Sequence, residues 1–171
     1  MDYTSDKVYC QIVKLVINSE GGYSNNVHDA GGATKFGVAF NFNRALLESM
    51  GVKEADMPNL TYDQACQIYY IKYWLPCKAN EIPDLRLAYI HFDSAVNCGV
   101  GQALVFLSRL SKNPKFFEGG NKNQALWMQL VLEYMAIRLN YYTHIKNRKY
   151  FLEGWANRLV DVVHNALTMA V

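Results

Sequence analysis

The sequence is poor in the features that announce a metal site, a nucleotide site or a membrane span. Its 171 residues include only 4 cysteines, 4 histidines and 4 prolines, and charged residues make up 19%. A formal net charge of +2 is too small to call for nucleic acid as a partner, and it suits an anionic polymer only weakly. The cysteines, at positions 10, 66, 77 and 98, form neither a CxxC pair nor a metal-finger spacing. Three of them sit in apolar helical patterns, where a free thiol behaves as a small buried hydrophobe, so reduced thiols and folding in the cytoplasm are expected. His28, His91, His144 and His164 lack metal-ligand spacing, so no metal is expected, and no cofactor. There is no GxSxG elbow and no P-loop. No apolar run approaches the roughly 18 residues that cross a bilayer. The start, MDYTSDKVYC, has neither the positive n-region nor the apolar h-region of a secretory signal.

What is present is an ordinary globular balance, 51% hydrophobic, with 12 Tyr, 8 Phe and 3 Trp. Helical periodicity dominates. A first helix beginning near Thr4 to Asp6 places Tyr9, Ile12, Val13, Val16 and Ile17 on one apolar face. Further helices are expected around Phe42 to Met50, from the Thr61/Gln64 capping box to about Trp74, over Leu85 to Asn97 and over Gly101 to Ser111. Two more follow at about Gln124 to His144 and Tyr150 to Met169, with KNPKFFEGGNKN as a loop before them. The stripe of the longer one reads Trp127, Val131, Tyr134, Ile137, Tyr141, and that of the last reads Trp155, Leu159, Val162, Val163, Ala166, Ala170. The break in this texture is GGYSNNVHDAGGATKFG, residues 21–37, a glycine-rich loop or small hairpin with Lys35 to Ala39 as its most strand-like piece. The fold class is therefore mainly α, with one ragged lip after the first helix, and function tends to live on such lips.

The first helix's stripe, continued by one step, reaches Glu20, just before Gly21 and Gly22 end the helix. A carboxyl on the apolar side of a helix is desolvated, and desolvation keeps it protonated. Glycoside hydrolysis needs such an acid beside the scissile oxygen, and a second polar group across from it. Asp29 and Thr34 follow in the loop, giving E-x8-D-x4-T, and the glycines leave room for a polymer to approach. Each element has a plain alternative: a solvated helix-end Glu, a turn-forming Asp, a strand Thr. All of them in this order favour a site.

SEGGYSNNVHDAGGATKFGV resembles the signature of the glycoside hydrolase family 108 lysozymes, found among phage endolysins and secretion-associated muramidases. Glu20, Gly21, Gly22, Tyr23, Asp29, Gly31, Gly32, Thr34, Gly37 and Val38 match it in order. HFDSAVNCGVGQAL is similar to the family's FD-x-AVN-x-G segment through Phe92, Asp93, Ala95, Val96, Asn97 and Gly99. YFLEGWANRL is similar to its FL-x-GW-x-NR segment through Phe151, Leu152, Gly154, Trp155, Asn157 and Arg158, in a region described as peptidoglycan-binding. The resemblance implies a lysozyme-like helical domain and an N-acetylmuramidase that cuts the β-1,4 bond between N-acetylmuramic acid and N-acetylglucosamine. Glu20 is then the catalytic acid, accompanied by Asp29 and Thr34. The wider phage lysozymes carry E-x8-D-x5-T, one residue more before the threonine. Ala39 to Asn43 also departs from the family's threonine-rich continuation, so the groove there is expected to have its own shape.

On this reading the chain is a single muramidase domain. Residues 1–98 carry the catalytic motif, and helices over 99–171 form a peptidoglycan-binding subregion. Candidate substrate contacts are Tyr23, Asp93, Asn97, Asn157 and Arg158. Tyr23 either stacks on a sugar or pins the loop. Asp93 and Asn97, four apart on one helix face, bind an acetamido group, brace the catalytic loop, or form a buried polar pair. Trp155 is assigned to the core, as are most of Tyr69, Tyr70, Tyr73 and Trp74. The expected partner is the peptidoglycan glycan strand, with a holin or other membrane pore for exit to the periplasm, where a monomer would act as a bacteriolytic hydrolase. The competing readings are a chitinase-like enzyme or lytic transglycosylase, a non-catalytic peptidoglycan-binding module, and an accessory phage-tail protein.

Overall fold

The computed structural model describes residues 2–17, 22–25, 30–112, 124–146 and 148–169. Among these residues the chain is mainly α, with one small antiparallel hairpin. It divides into two compact units, Met1–Lys72 and Tyr73–Val171. The division lies well before residue 98, because the helix carrying the FDSAVN segment packs with the helices that follow it.

In the first unit, helix α1 (Lys7–Ile17) starts where Asp6 Oδ1 accepts a hydrogen bond from the Tyr9 backbone N–H at 2.9 Å. Its buried side chains are Tyr9, Ile12, Val13, Val16 and Ile17, the stripe that periodicity predicts. Each such side chain contributes about 1.5–3 kcal/mol on burial, which is what fixes the helix in place. Strands β1 (Thr34–Lys35) and β2 (Val38–Ala39) pair Thr34 with Ala39 and Lys35 with Val38. The two residues between them, Phe36 and Gly37, have φ of 52° and 71°. Two positive φ values are what a tight I′ hairpin loop demands, so Gly37 is suited to its place and Phe36 is held there by the pairing around it. Helix α2 (Phe40–Ser49) begins directly after β2.

Helix α3 (Tyr62–Tyr69) carries the capping box: Gln64 N–H donates to Thr61 Oγ1 at 3.2 Å, and Thr61 N–H to Gln64 Oε1 at 2.9 Å. The sequence reads as one helix to Trp74, but the last turn, Tyr70–Trp74, is a π-helix. A π turn buries positions five apart, and Tyr69 and Trp74, both buried, are five apart.

The second unit is built around α4 (Leu85–Cys98), which packs against α5 (Val100–Leu110), α6 (Gln124–His144) and α7 (Arg148–Thr168). Every residue of α4 from Arg86 to Ala95 is buried, the state of a helix surrounded by others. Asp84 caps it, accepting from the Arg86 and Leu87 backbone N–H groups at 3.0 and 3.1 Å. Gly99, at φ 86°, turns the chain from α4 into α5. The buried face of α6 is Trp127, Leu130, Val131, Tyr134, Met135, Arg138 and Tyr142; Ile137 and Tyr141, placed on the stripe by periodicity, are only half-buried. On α7, Val162 and Ala166 are buried, while Trp155, Leu159 and Val163 are half-buried. Ala170 lies outside the described residues, as do residues 113–123 of the segment KNPKFFEGGNKN, expected as a loop.

Candidate active site

Glu20 and Asp29, with His28, lie outside the described residues, and the frame on either side of them is what the structure defines. On the entry side, α1 leads toward Glu20 with Val16 and Ile17 buried. On the exit side, Ser24 and Thr34 exchange two backbone hydrogen bonds, each 2.8 Å, which pin the described residues before and after Asp29 to one another.

The residues after Asp29 are fastened to the start of α2. Asn41 donates from Nδ2 to the Ala30 carbonyl at 3.1 Å and from its backbone N–H to the Gly31 carbonyl at 3.0 Å. Phe40 N–H donates to the Ala33 carbonyl at 2.9 Å. Gly32, at φ 67°, passes so close that an added Cβ would lie 2.9 Å from Asn41 Nδ2. Only glycine satisfies both conditions there. The motif's GG pair is thus explained in part by a clamp that the sequence reading missed: Asn41 sits in the segment that departs from the family pattern. Beneath the hairpin, Tyr69 donates its hydroxyl to the Phe36 carbonyl at 3.1 Å, and Lys35 Nζ donates to the Pro58 carbonyl at 2.6 Å.

Thr34 is half-buried in β1 and donates its hydroxyl to the Gly32 carbonyl at 3.1 Å. Its proton is therefore spent on the loop, which leaves the hydroxyl oxygen as an acceptor. Tyr23 is 45% exposed, next to the Ser24 bridge, and Gly22 beside it has open space around it.

The other candidates belong to the second unit. Asp93 is fully buried, and both of its oxygens are occupied: Oδ2 by Arg138 Nη1 at 2.6 Å, Oδ1 by Arg158 Nε and Nη2 at 3.0 and 2.7 Å. Burial alone would raise its pKa, but Arg138 and Arg158 outweigh that and hold the carboxyl below the usual range. Asn97, half-buried one turn along α4, accepts from Tyr142 Oη at 2.6 Å and from Arg138 Nη2 at 3.3 Å. Asp93, Asn97 and Arg158 thus form one polar network with Arg138 and Tyr142, tying α4, α6 and α7 together. Of the three roles the sequence leaves open for the Asp93–Asn97 pair, this is the buried polar one. Asp93 is buried, and its carboxyl meets Arg138 and Arg158 inside this network. Asn157 is exposed. Trp155, assigned to the core, is half-buried and stacks on Tyr142 with centroids 5.2 Å apart and planes at 22°.

Arg138 was not singled out in the sequence, though it holds the network's centre. The signal was available: it falls on the same face as Val131, Tyr134 and Tyr142. His91 is fully buried between the Cys77 carbonyl and Tyr134 Oη, each 2.8 Å away. A carbonyl only accepts, so Nε2 carries the proton and Nδ1 accepts from the tyrosine. All four cysteines are free; burial pushes the thiols of Cys66 and Cys77 up to about 11 and about 12, which leaves them unreactive. Among the described residues no group of His, Cys, Asp and Glu could hold a metal ion, and no helix is long and apolar enough to cross a membrane.

Residues 13–99 match the family model described as Glycosyl hydrolase 108, a span that includes Glu20, Tyr23, Asp29, Thr34, Asp93 and Asn97. The solved structure of Brucella abortus SagA is similar over 95% of both chains, with a TM-score of 0.71 at 24% identity, which shows a shared fold. No curated protein matches the chain.

Proposed function

Because the chain belongs to the glycosyl hydrolase 108 family, and is thus a glycoside hydrolase, we propose that it is an N-acetylmuramidase acting on peptidoglycan. The bond cut is the β-1,4 linkage between N-acetylmuramic acid and N-acetylglucosamine. Glu20 donates the proton to the glycosidic oxygen as that bond breaks. The Asp29 carboxylate, across the loop, either activates the incoming water or stabilises positive charge on the sugar ring. Thr34, with its own proton donated to Gly32, offers an acceptor that can hold that water.

The observation that carries this reading is the run of Glu20, Asp29 and Thr34 in order within the matched span, with the described residues around Asp29 fastened by the Ser24–Thr34 pair and by Asn41. Proton transfer requires a fixed geometry, and these fastened flanks are the part of the site that the described residues show. Helix α1 has its buried stripe through Ile17, and in the sequence the same spacing continued by one step gives Glu20. The acid role needs a carboxyl that is protonated near neutral pH, a state that desolvation favours. The reading includes the periplasmic wall as the place of action and a holin or similar pore as partner.

Mass spectrometry of the fragments released from purified peptidoglycan tests it. Reducing N-acetylmuramic acid ends are expected. Anhydro ends would assign a transglycosylase instead, and release of no fragments at all would assign a binding module.

A further inference from the structure

Within the first unit, a groove of about 560 Å³ runs along α2 and the π turn, lined by Asn41, Phe42, Asn43, Arg44, Ile71 and Lys72 among others. Its size falls in the range of small-ligand sites. From these features we infer that it is a sugar subsite reading the carboxylate of an N-acetylmuramyl unit; this rests on the muramidase reading above.

Three observations converge on that ligand. Phe42, 66% exposed, is a broad apolar face left in water beside the groove, as a ring that stacks on a sugar would be. Lys72 Nζ donates to the Phe42 carbonyl at 2.7 Å, which fixes the ammonium at the rim and leaves further N–H donors for an anion. Arg44 is also held, by Asn41 Oδ1 at 3.1 Å and over the Phe40 ring at 4.7 Å, with Glu48 no nearer than 3.8 Å. Finally, Asn43 lines the groove at 8% exposure, and its Oδ1 receives no hydrogen bond. A buried acceptor without a donor calls for one from outside the fold, and a sugar N–H or O–H entering the groove with a small shift of the side chain would supply it.

Two held cations and an exposed aromatic ring fit a sugar ring that carries a carboxylate. Of the two alternating sugars in peptidoglycan, only the muramyl residue brings one, through its lactyl group or through the stem peptide attached there. The groove also adjoins the catalytic loop through one residue, since Asn41 both lines it and clamps Ala30, the neighbour of Asp29.

The test is a binding titration of the whole chain with three probes: the muramyl disaccharide with a free lactyl carboxylate, the same disaccharide bearing its stem peptide, and diacetylchitobiose, which has no carboxylate. Lys72→Gln is expected to weaken a carboxylate-bearing probe by about tenfold while leaving diacetylchitobiose unchanged. Lys72→Arg restores the affinity, and Phe42→Ala weakens all three. Whichever disaccharide loses more affinity identifies the carboxylate that is read. Equal affinities for wild type and Lys72→Gln, or an equal loss for diacetylchitobiose, would overturn the assignment. Disaccharide binding does not depend on turnover, so a failure of the muramidase reading shows separately, as wild-type protein that releases no fragments from peptidoglycan.

Discussion

Arg158 grips a single oxygen of Asp93 with two hydrogen bonds, 3.0 and 2.7 Å, across 65 residues of sequence. With Arg138 on the other oxygen at 2.6 Å, one buried carboxylate joins three helices. The FD-x-AVN and GW-x-NR segments meet here, so their shared presence in the chain has a folding explanation. Residues that travel with a catalytic motif can serve its scaffold.

Breaking this network is expected to cost stability in a definite order. Arg138 is 0% exposed and Arg158 16%, so Arg138 is the less replaceable partner. Asp93→Asn should destabilise by roughly 3–5 kcal/mol, because it leaves the fully buried Arg138 without its counter-charge, and Arg138→Met should cost nearly as much, because it removes the wholly buried partner and leaves Asp93 only the part-exposed Arg158. Arg158→Met should cost less, since Asp93 keeps Arg138. Denaturant unfolding of the three variants checks the order, and an Arg158 loss equal to that of Arg138 would contradict it.

The His91 environment predicts acid sensitivity. Burial lowers its pKa from 6.5 to about 4, against a smaller opposing effect of the Cys77 carbonyl. The unfolded chain therefore binds a proton between pH 6.5 and about 4 that the folded chain refuses, so stability falls as pH drops through that window. The loss is on the order of 2–3 kcal/mol. Asp93, held below the ordinary carboxyl range, contributes only at still lower pH. Thermal unfolding from pH 7 to pH 4 should show the decline, and His91→Gln should flatten it.

If Asp29 serves the proposed reaction, the clamp from Asn41 on Ala30 and Gly31 is expected to matter for turnover more than for folding. Gly32→Ala would place a Cβ 2.9 Å from Asn41 Nδ2 and hold alanine at φ 67°. The conformational part alone costs about 1–2 kcal/mol. Asn41→Ala frees the Ala30 carbonyl and should lower kcat about tenfold with a melting temperature within a few degrees of wild type. Peptidoglycan turnover and a melting curve, measured on the same preparation, separate the two effects.

Local chemistry made much of this fold readable from the sequence. The α1 stripe and the Thr61–Gln64 capping box follow from periodicity and capping rules that act over a few residues, whereas Lys35 to Ala39, expected as the most strand-like piece, holds the Phe36–Gly37 turn between two short strands. What was not readable depended on distant partners. Arg138 is a charged residue on an apolar helix face, and nothing near it in sequence reveals an aspartate 45 positions away. The α6 stripe was displaced for the same reason: Arg138 and Tyr142 take positions that a hydrophobicity pattern gives to Ile137 and Tyr141. The π turn after Tyr69 looks like ordinary helix until the five-residue spacing of its buried side chains is known. At the candidate site, composition and order pointed to Glu20, Asp29 and Thr34. The clamp from Asn41 is a tertiary contact, and only the folded chain displays it.

Release of soluble muropeptides from purified peptidoglycan by wild type and by Glu20→Gln is the most direct measurement of the central claim. The amide keeps the size of the side chain and cannot donate the proton. The variant should fold with an unchanged melting temperature and lose cleavage by at least about a hundredfold. Release at the wild-type rate by folded Glu20→Gln would contradict the assignment of Glu20 as the catalytic acid.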